Sequence, residues 1–317
     1  MDGTGNPWFY GDIGIRGDRI VRITPPGLLA GAQSKQRVDA SGKIVSPGFI
    51  DIDAQSMGAF TLGDGRVVSM VTQGVTTAIV GEGESVAPIN AKRLAAMKDP
   101  GNPYASVADS LSRTLANPHG FDKWLELMEQ RGVSQNVGSF IGAQIVRVYA
   151  KGEAEGTPTP AELDTMRAVV KSAMEDGALG VASALIYPPG NFATNAELIE
   201  LAKAAAPYGG IYITHMRSEA DRLLEAIDEA FRIGTDGGVP VEIYHFTASR
   251  VQNWSKMPAA MDGRRRRRRR HVSLHSRLDR SFQLRPTVGG RRRQAARQPA
   301  GPWNDGKDHG GNALPRA

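Results

Sequence analysis

The chain has 317 residues, contains no cysteine and carries a formal net charge of +6. Its length suffices for one barrel-sized domain or for two smaller ones, and the absence of cysteine excludes disulfides and thiolate ligands, so a bound metal would need histidine and carboxylate. No apolar run is long enough to span a bilayer, and the polar opening residues do not read as a signal peptide, so we expect a cytoplasmic protein without a membrane partner.

The net charge averages two unlike segments. Residues 261–317 hold 16 of the 39 Lys and Arg but only 4 of the 33 Asp and Glu, a net of +12, so the other 260 residues have a net of −6. Residues 264–270 are seven consecutive arginines, and residues 291–293 are three more. The composition therefore predicts a mildly acidic globular body followed by a basic segment.

The first part of the chain predicts short β-structure. Residues 12–16 and 19–23 alternate between apolar and polar side chains around Gly17 and Asp18, a pattern typical of a hairpin. We assign residues 1–47 to a partial small β domain.

From Phe49 onward the pattern changes. A strand is predicted over residues 49–52, a helix over 64–73 and a β-branched strand over 76–80. Residues 84–119 have little periodicity, and we expect them to form loops.

A regular alternation of helices and strands follows. The predicted elements are, in chain order, helix 121–130, strand 136–141, helix 160–175, strand 179–185, helix 197–205, strand 211–214, helix 218–233 and strand 241–244. Strands that alternate with helices imply a parallel sheet with right-handed crossovers.

Six such strands can be counted between Phe49 and His245. They predict an α/β fold, either an incomplete (β/α)8 TIM-type barrel with about six of its eight strands or an open doubly wound sheet. No glycine-rich phosphate fingerprint follows an early strand, which argues against a dinucleotide-binding fold. We assign residues 48–257 to the partial barrel.

Two histidines end predicted strands. His215 follows the strand over 211–214, and His245 follows the next strand along the chain. In a parallel barrel the carboxyl ends of the strands face one mouth, where active sites lie. A single histidine there would more often bond a loop, but two at matching ends of neighbouring strands favour a shared metal ion. His119 lies in a turn, and we interpret it as structural or solvated.

Glu82 follows the predicted strand over 76–80 and lies between Gly81 and Gly83. It could be an exposed acidic loop residue. Together with the two histidines it would complete a His2Glu set, which leaves a fourth position open for water, as catalytic zinc requires.

Several segments of the chain resemble the D-aminoacylase branch of the amidohydrolase superfamily. VSPGFID at 45–51 resembles the passage from the small β domain of amidohydrolases into their first barrel strand. More specific to the D-aminoacylases are TQGVTT at 72–77, IYPPG at 186–190, THMR at 214–217 and AS at 248–249. The resemblance covers residues 2 to about 257.

This resemblance implies zinc-assisted hydrolysis of an amide, typically an N-acyl-D-amino acid. It implies that His215 and His245 are metal ligands and that Glu82 stands near the position where many D-aminoacylases place a cysteine ligand. Tyr187 would line the substrate pocket. Arg217 would either contact a substrate carboxylate or form a salt bridge at the start of a helix.

The chain departs from the family just after the first barrel strand. Amidohydrolases usually carry His-x-His there, and the aligned residues of this chain are Asp53 and Gln55. Asp53 remains a candidate ligand, whereas a neutral glutamine is a poor one. We therefore expect one zinc site and no tight second site.

A second departure concerns the end of the barrel. The family places a catalytic aspartate after the eighth strand, where it acts as general base. We find no seventh or eighth strand and no candidate for that aspartate. The sequence therefore predicts a truncated hydrolase that lacks a catalytic base.

The basic low-order tail, residues 258–317, has two interpretations. One is an arginine-rich arm that binds nucleic acid through phosphate contacts, although its arginine runs have no interleaved aromatic side chains for base stacking and Trp303 lies late in the segment. The other is out-of-frame translation of GC-rich DNA, because codons for residues 271–277 read one base later can give Met-Tyr-Pro-Tyr-Thr-Ala, which resembles D-aminoacylases after their sixth strand. We favour the frameshift, and the coding DNA of codons 255–275 decides between the two.

Two functional hypotheses follow. The first is a zinc-dependent hydrolase of N-acyl-D-amino acids, with a small-molecule substrate and no nucleic-acid partner. The second is a non-catalytic barrel fragment whose arginine-rich tail binds nucleic acid.

Overall fold

The computed structural model describes residues 1–117 and 119–268. Both interpretations of the tail concern mainly residues beyond 268, which lie outside these described residues.

The described residues contain nine strands and ten α-helices. The strands are β1 (Asp12–Arg16), β2 (Arg19–Thr24), β3 (Phe49–Asp51), β4 (Val75–Val80), β5 (Asn136–Ser139), β6 (Ile141–Gly142), β7 (Gly180–Ala184), β8 (Ile211–His215) and β9 (Val241–Ile243). The helices are α1 (Met57–Thr61), α2 (Val68–Val71), α3 (Ala91–Met97), α4 (Ala108–Leu115), α5 (Gly120–Arg131), α6 (Ala143–Lys151), α7 (Pro160–Glu175), α8 (Asn195–Ala205), α9 (Leu223–Gly237) and α10 (Met257–Arg268). No helix in these ranges combines the length and the apolar character needed to cross a membrane.

The strands after the N-terminal hairpin are all parallel and follow one another in chain order, as β3-β4-β5 and β6-β7-β8-β9. Only Phe140 separates β5 from β6, so the two occupy one strand position. Six strand positions result, which confirms the α/β fold with an incomplete barrel. The sequential order also excludes the doubly wound alternative, in which the strand order reverses.

Side chains from five consecutive strand positions fill the interior of the partial barrel. They are Ile79, Phe140, Ala182, Ile213 and Tyr244, each at most 2% exposed. An inner layer built from neighbouring strands is the usual core of a (β/α) barrel. The layer lies directly below the strand ends that carry the predicted site.

A second and larger core joins the outer faces of the strands to the helices. Met166 and Val170 of α7, Leu198 and Leu201 of α8, and Tyr212 of β8 are all fully buried in it. Strand residues therefore alternate between the barrel interior and the helix layer, as Tyr212 and Ile213 do. His215 continues the alternation on the interior side, which directs its ring toward the mouth.

The start of α7 shows how the local sequence determines where one of these helices begins. Thr159 is the N-cap, its hydroxyl accepts from the backbone N–H of Glu162, and the Glu162 carboxylate accepts from the backbone N–H of Thr159. This reciprocal pair is a capping box, and Pro160 occupies the first turn, where its missing N–H has no cost. The predicted start of this helix is therefore confirmed.

The N-terminal hairpin pairs β1 with β2 in antiparallel fashion, as predicted. Its apolar side chains are largely exposed, with Ile15 at 69% and Ile20 at 62%. The first barrel strand, β3, is exposed in the same way, since Phe49 is 61% and Ile50 62% accessible. Described residues therefore leave one edge of the barrel uncovered.

Some predicted elements were wrong. The expected loop over 84–119 contains α3 and α4, and α4 buries Ala108, Leu111 and Leu115 at helical spacing. The helix expected over 64–73 shrinks to α2, because the backbone before it is left-handed at Gly65 (φ +75°) and Val67 (φ +40°) and cannot continue a right-handed helix.

Three boundaries also differ. The helix expected over 218–233 begins only at Leu223, because the residues before it turn to bring Glu219 against His245. It ends at Gly237. The strand expected over 136–141 is interrupted at Phe140. The domain boundary expected after residue 257 falls inside α10. Ala260 of this helix is 1% exposed and packs against α9.

His119, interpreted as structural or solvated, is both: its side chain is 58% exposed and contacts Asp176. Its Nδ1 lies 2.5 Å from Oδ1 of Asp176, and Oδ2 of Asp176 accepts from the backbone N–H of Asp122. This contact joins the start of α5 to the end of α7. The hydrogen bond with Asp176 raises the pKa of His119 above its usual value.

A buried ion pair ties α6 to α8. Nη1 of Arg147 lies 2.6 Å from Oε2 of Glu197, and both side chains are at most 1% exposed. Nη2 of Arg147 also donates to the carbonyls of Ala154 and Gly156. The pair thereby fixes the loop between α6 and α7 as well as the two helices.

Loss of the Glu197 charge is expected to destabilise the fold strongly. A Glu197→Gln variant leaves the Arg147 guanidinium buried without a counter-charge, which costs about 3–5 kcal/mol of unfolding free energy. The matched control is Glu200→Gln on the same helix, whose partners Arg167 and Lys203 are partly exposed, so its loss is about 1 kcal/mol or less. Urea unfolding measures both, and equal losses would contradict the role of the buried pair.

Candidate metal centre

The site lies at the carboxyl ends of β4, β8 and β9. Glu82 follows β4 within a loop that turns sharply at Gly81 (φ +110°) and Gly83 (φ +69°). A Cβ at Gly83 would lie 2.7 Å from the backbone nitrogen of Ala184, so only glycine allows the loop to pack there. The two glycines therefore direct Glu82 over the barrel mouth.

The three predicted ligands converge. Oε1 of Glu82 lies 2.9 Å from Nδ1 of His215 and 3.3 Å from Nε2 of His245. The two imidazole centroids are 4.4 Å apart, and one ligand atom from each residue lies within 4.8 Å of the others. Bonds of about 2.0 Å in a tetrahedral zinc site would separate ligand atoms by about 3.3 Å, so the spacing fits a shared ion.

The polar environment of the site fits a cation. Nε2 of His215 is buried and has no hydrogen-bond partner among the described residues, although its other nitrogen contacts Glu82. The hydrogen bond with His215 is the main cause that lowers the pKa of Glu82 to about 2, against the opposing effect of burial. The carboxylate is therefore anionic at neutral pH, and two imidazoles with one carboxylate form an established donor set for catalytic zinc.

Accessibility differs among the three side chains. Glu82 is 17% exposed and His215 10%, whereas His245 is 36% exposed. Partial burial strengthens electrostatic interactions by lowering the local dielectric. The exposed side of His245 leaves the group open to a solvent-borne substrate.

Glu219 holds His245 in place, a role that the sequence did not reveal. Its Oε1 lies 2.7 Å from Nδ1 of His245, its Oε2 accepts from the hydroxyl of Ser249, and its carbonyl accepts from the Ser249 backbone N–H. A carboxylate on the second nitrogen of a ligand histidine fixes the tautomer and orientation of the ring. Burial opposes protonation of His245, but the contacts with Glu82 and Glu219 raise its pKa overall.

The backbone of His245 is itself unusual. Its φ is +28°, a left-handed value for a non-glycine residue, and such conformations cost about 1–3 kcal/mol. Only Tyr244 separates this residue from the end of β9, so this turn, together with Glu219, aims the ring at Glu82.

Asp53 and Gln55 lie beside the three-residue group. Nε2 of Gln55 donates to Oε2 of Glu82 at 2.6 Å and to Oδ1 of Asp53 at 3.2 Å. Burial, followed by repulsion from Glu82, raises the pKa of Asp53 to about 6. The structure therefore places Asp53 near the centre without bringing it into the compact ligand group.

The two substrate-binding candidates differ in their surroundings. Tyr187 is 54% exposed, and its ring centroid lies 5.5 Å from that of His215, at the mouth of the site. Arg217 instead forms an ion pair with Glu229 of α9 and donates to the carbonyls of Asn191 and Ala193. Of the two roles expected for Arg217, contact with a substrate carboxylate or a salt bridge, the structure shows the salt bridge.

We expect Glu219→Ala to weaken zinc binding by about 10- to 100-fold, because His245 loses the carboxylate that orients it. Glu225→Ala is the matched control, since Glu225 is exposed in the first turn of α9. Competition with a coloured chelator measures both affinities. A Glu219→Ala variant that binds zinc as tightly as the control would show that Glu219 does not support the site.

The chain is similar in sequence to known deacylases. The chain is 32% identical over 257 residues to a D-aminoacylase of Alcaligenes xylosoxydans xylosoxydans, covering 81% of this chain and 50% of that protein. It is 33% identical over 266 residues to an N-acyl-D-glutamate deacylase of the same organism, covering 82% and 51%. No family model matches.

Solved structures give the same result. A crystal structure of D-aminoacylase, described as defining a novel subset of amidohydrolases, matches with a TM-score of 0.68 and 30% identity over 82% of this chain and 54% of that one. An N-acyl-D-glutamate deacylase from Bordetella bronchiseptica, complexed with zinc and a phosphonate mimic of the tetrahedral intermediate, matches with a TM-score of 0.72 and 30% identity over 86% and 55%. A D-aminoacylase studied for the role of its binuclear metal centre matches with a TM-score of 0.69 and 29% identity, over 82% of this chain and 54% of that one.

An incomplete parallel barrel with a histidine–carboxylate group at its strand ends is the architecture of an amidohydrolase. Within that superfamily, the chain belongs to the D-aminoacylase family. It spans about half the length of the curated relatives that it matches.

Proposed function

We propose that this chain is a zinc-dependent amide hydrolase of the D-aminoacylase type, with one zinc ion held by Glu82, His215 and His245. The observation that carries the proposal is the convergence of these three side chains from three separate strand ends. The names of the relatives, which include D-aminoacylase and N-acyl-D-glutamate deacylase, support N-acyl-D-amino acids as the substrate class.

A zinc ion bound there would supply Lewis acidity toward a water nucleophile and an acyl carbonyl. Glu82 contributes an anionic carboxylate, and Glu219 keeps the His245 ring in position. Tyr187, at the mouth beside His215, is the described side chain best placed to contact a substrate. Arg217 holds the segment at residues 191–193 through hydrogen bonds to two of its carbonyls.

The general base of the family has no counterpart among the described residues. After β9 these contain only a short 310 turn, Val251–Lys256, and α10. General-base catalysis typically contributes about 10²- to 10⁴-fold to a rate. We therefore propose that the described residues form a hydrolase-type zinc site without a general base among them.

Zinc binding tests the proposal directly. We expect one zinc per chain in the purified protein and none in a His215→Ala, His245→Ala double variant, because two of the three ligands are removed. His119→Ala is the matched control, since His119 contacts Asp176 away from the site, and it should retain its zinc. Elemental analysis after dialysis gives the stoichiometry.

The contrary result would be zinc-free wild-type protein, or zinc that survives in the double variant. Zinc-free protein that binds DNA with a steep salt dependence would instead support the nucleic-acid hypothesis.

A further inference from the structure

The side-chain amide of Gln55 lies between two carboxylates. Its Nε2 is 2.6 Å from Oε2 of Glu82 and 3.2 Å from Oδ1 of Asp53. A primary amide nitrogen carries two hydrogens and no available lone pair. Each hydrogen is therefore committed to one carboxylate, and the amide nitrogen itself cannot coordinate a metal.

The two oxygens of Glu82 face in different directions. Oε1 contacts the histidines, at 2.9 Å from His215 and 3.3 Å from His245, whereas Oε2 accepts from Gln55 and from no other described side chain. In a two-metal site a carboxylate that bridges the ions presents one oxygen to each. Glu82 has this bridging arrangement, because one of its oxygens contacts the two histidines and the other contacts the NH2 group of Gln55.

We infer that the NH2 group of Gln55 takes the place of a second metal ion, so that this centre is built to hold one cation. The inference rests on the proposed function, because it assumes zinc at Glu82, His215 and His245. A solved D-aminoacylase that matches this chain is described by a binuclear metal centre with one-metal activation and second-metal attenuation, so this chain would differ from it in the second cation.

The charges around Gln55 explain why a neutral amide can take the place of a second metal ion. Asp53 and Glu82 repel each other, and this repulsion would favour a cation between them. The two N–H groups of Gln55 provide positive ends of dipoles at the same place. A cation that entered would have to break both hydrogen bonds and would then face the amide hydrogens at close range.

Replacement of Gln55 by a ligand should open the second position. Gln55→Glu keeps the size of the side chain but exchanges its donors for a third carboxylate, and Gln55→His adds a neutral imidazole. Gln73→Glu is the matched control, because Gln73 is exposed near the opposite end of β4 and its side-chain amide donates to the Ser69 carbonyl, away from the site.

The experiment is equilibrium dialysis of the full chain and its variants against excess zinc, followed by metal analysis, with circular dichroism to verify folding. We expect one equivalent of zinc in the wild type and in Gln73→Glu, and two in Gln55→Glu and Gln55→His. If only one of the two Gln55 variants keeps the wild-type spectrum, the zinc stoichiometry of that variant tests the role of Gln55. If neither keeps it, the zinc stoichiometry of the wild type tests whether the centre holds one cation.

The outcomes separate this inference from the proposed function. Two equivalents in the wild type, or one equivalent in every folded Gln55 variant, would overturn the role of Gln55 and leave the zinc site standing. Zinc-free wild type would overturn the proposed function and the inference with it.

Discussion

The parallel register of the strands brings Glu82, His215 and His245 to one point, although 133 residues separate the first from the second. β7 pairs with β8, and β8 with β9, so that Thr214 lies opposite Ile243 and the residues that follow reach the same mouth. The buried layer in the barrel interior, which includes Ile79, Ile213 and Tyr244, holds the strands in place relative to one another. Because the site consists of strand ends, any change that slips the register would separate its ligands.

The carboxylate of Glu82 is the electrostatic centre of this arrangement. Both of its oxygens are engaged, by two imidazoles on one side and by the Gln55 amide on the other. Outer groups hold these partners in turn, Glu219 for His245 and Asp53 for Gln55. Such support is what keeps a metal site in a geometry that the metal prefers, and at His245 it also maintains a strained backbone at φ +28°.

The sequence was sufficient to predict the parallel strands and the convergence of Glu82, His215 and His245, because both depend on local patterns: apolar runs bounded by turns, and polar residues directly after them. It did not predict the role of Glu219, which depends on how the turn before α9 folds back on His245. It identified Gln55 as a poor ligand but not as a donor to Glu82 and Asp53, since hydrogen bonds over 27 residues leave no periodic trace. The helices α3 and α4 were missed because they are short, and Asn90 caps the first of them with a side chain that also fits a loop.

The central claim is that one zinc ion binds at the carboxyl ends of β4, β8 and β9. A crystal of the zinc-loaded chain, measured at the zinc absorption edge, tests it most directly. The predicted result is a single anomalous peak at bonding distance, about 2.0–2.2 Å, from Glu82, His215 and His245. A peak at the histidines of the basic segment, His271, His275 or His309, with none at the strand ends, would contradict it.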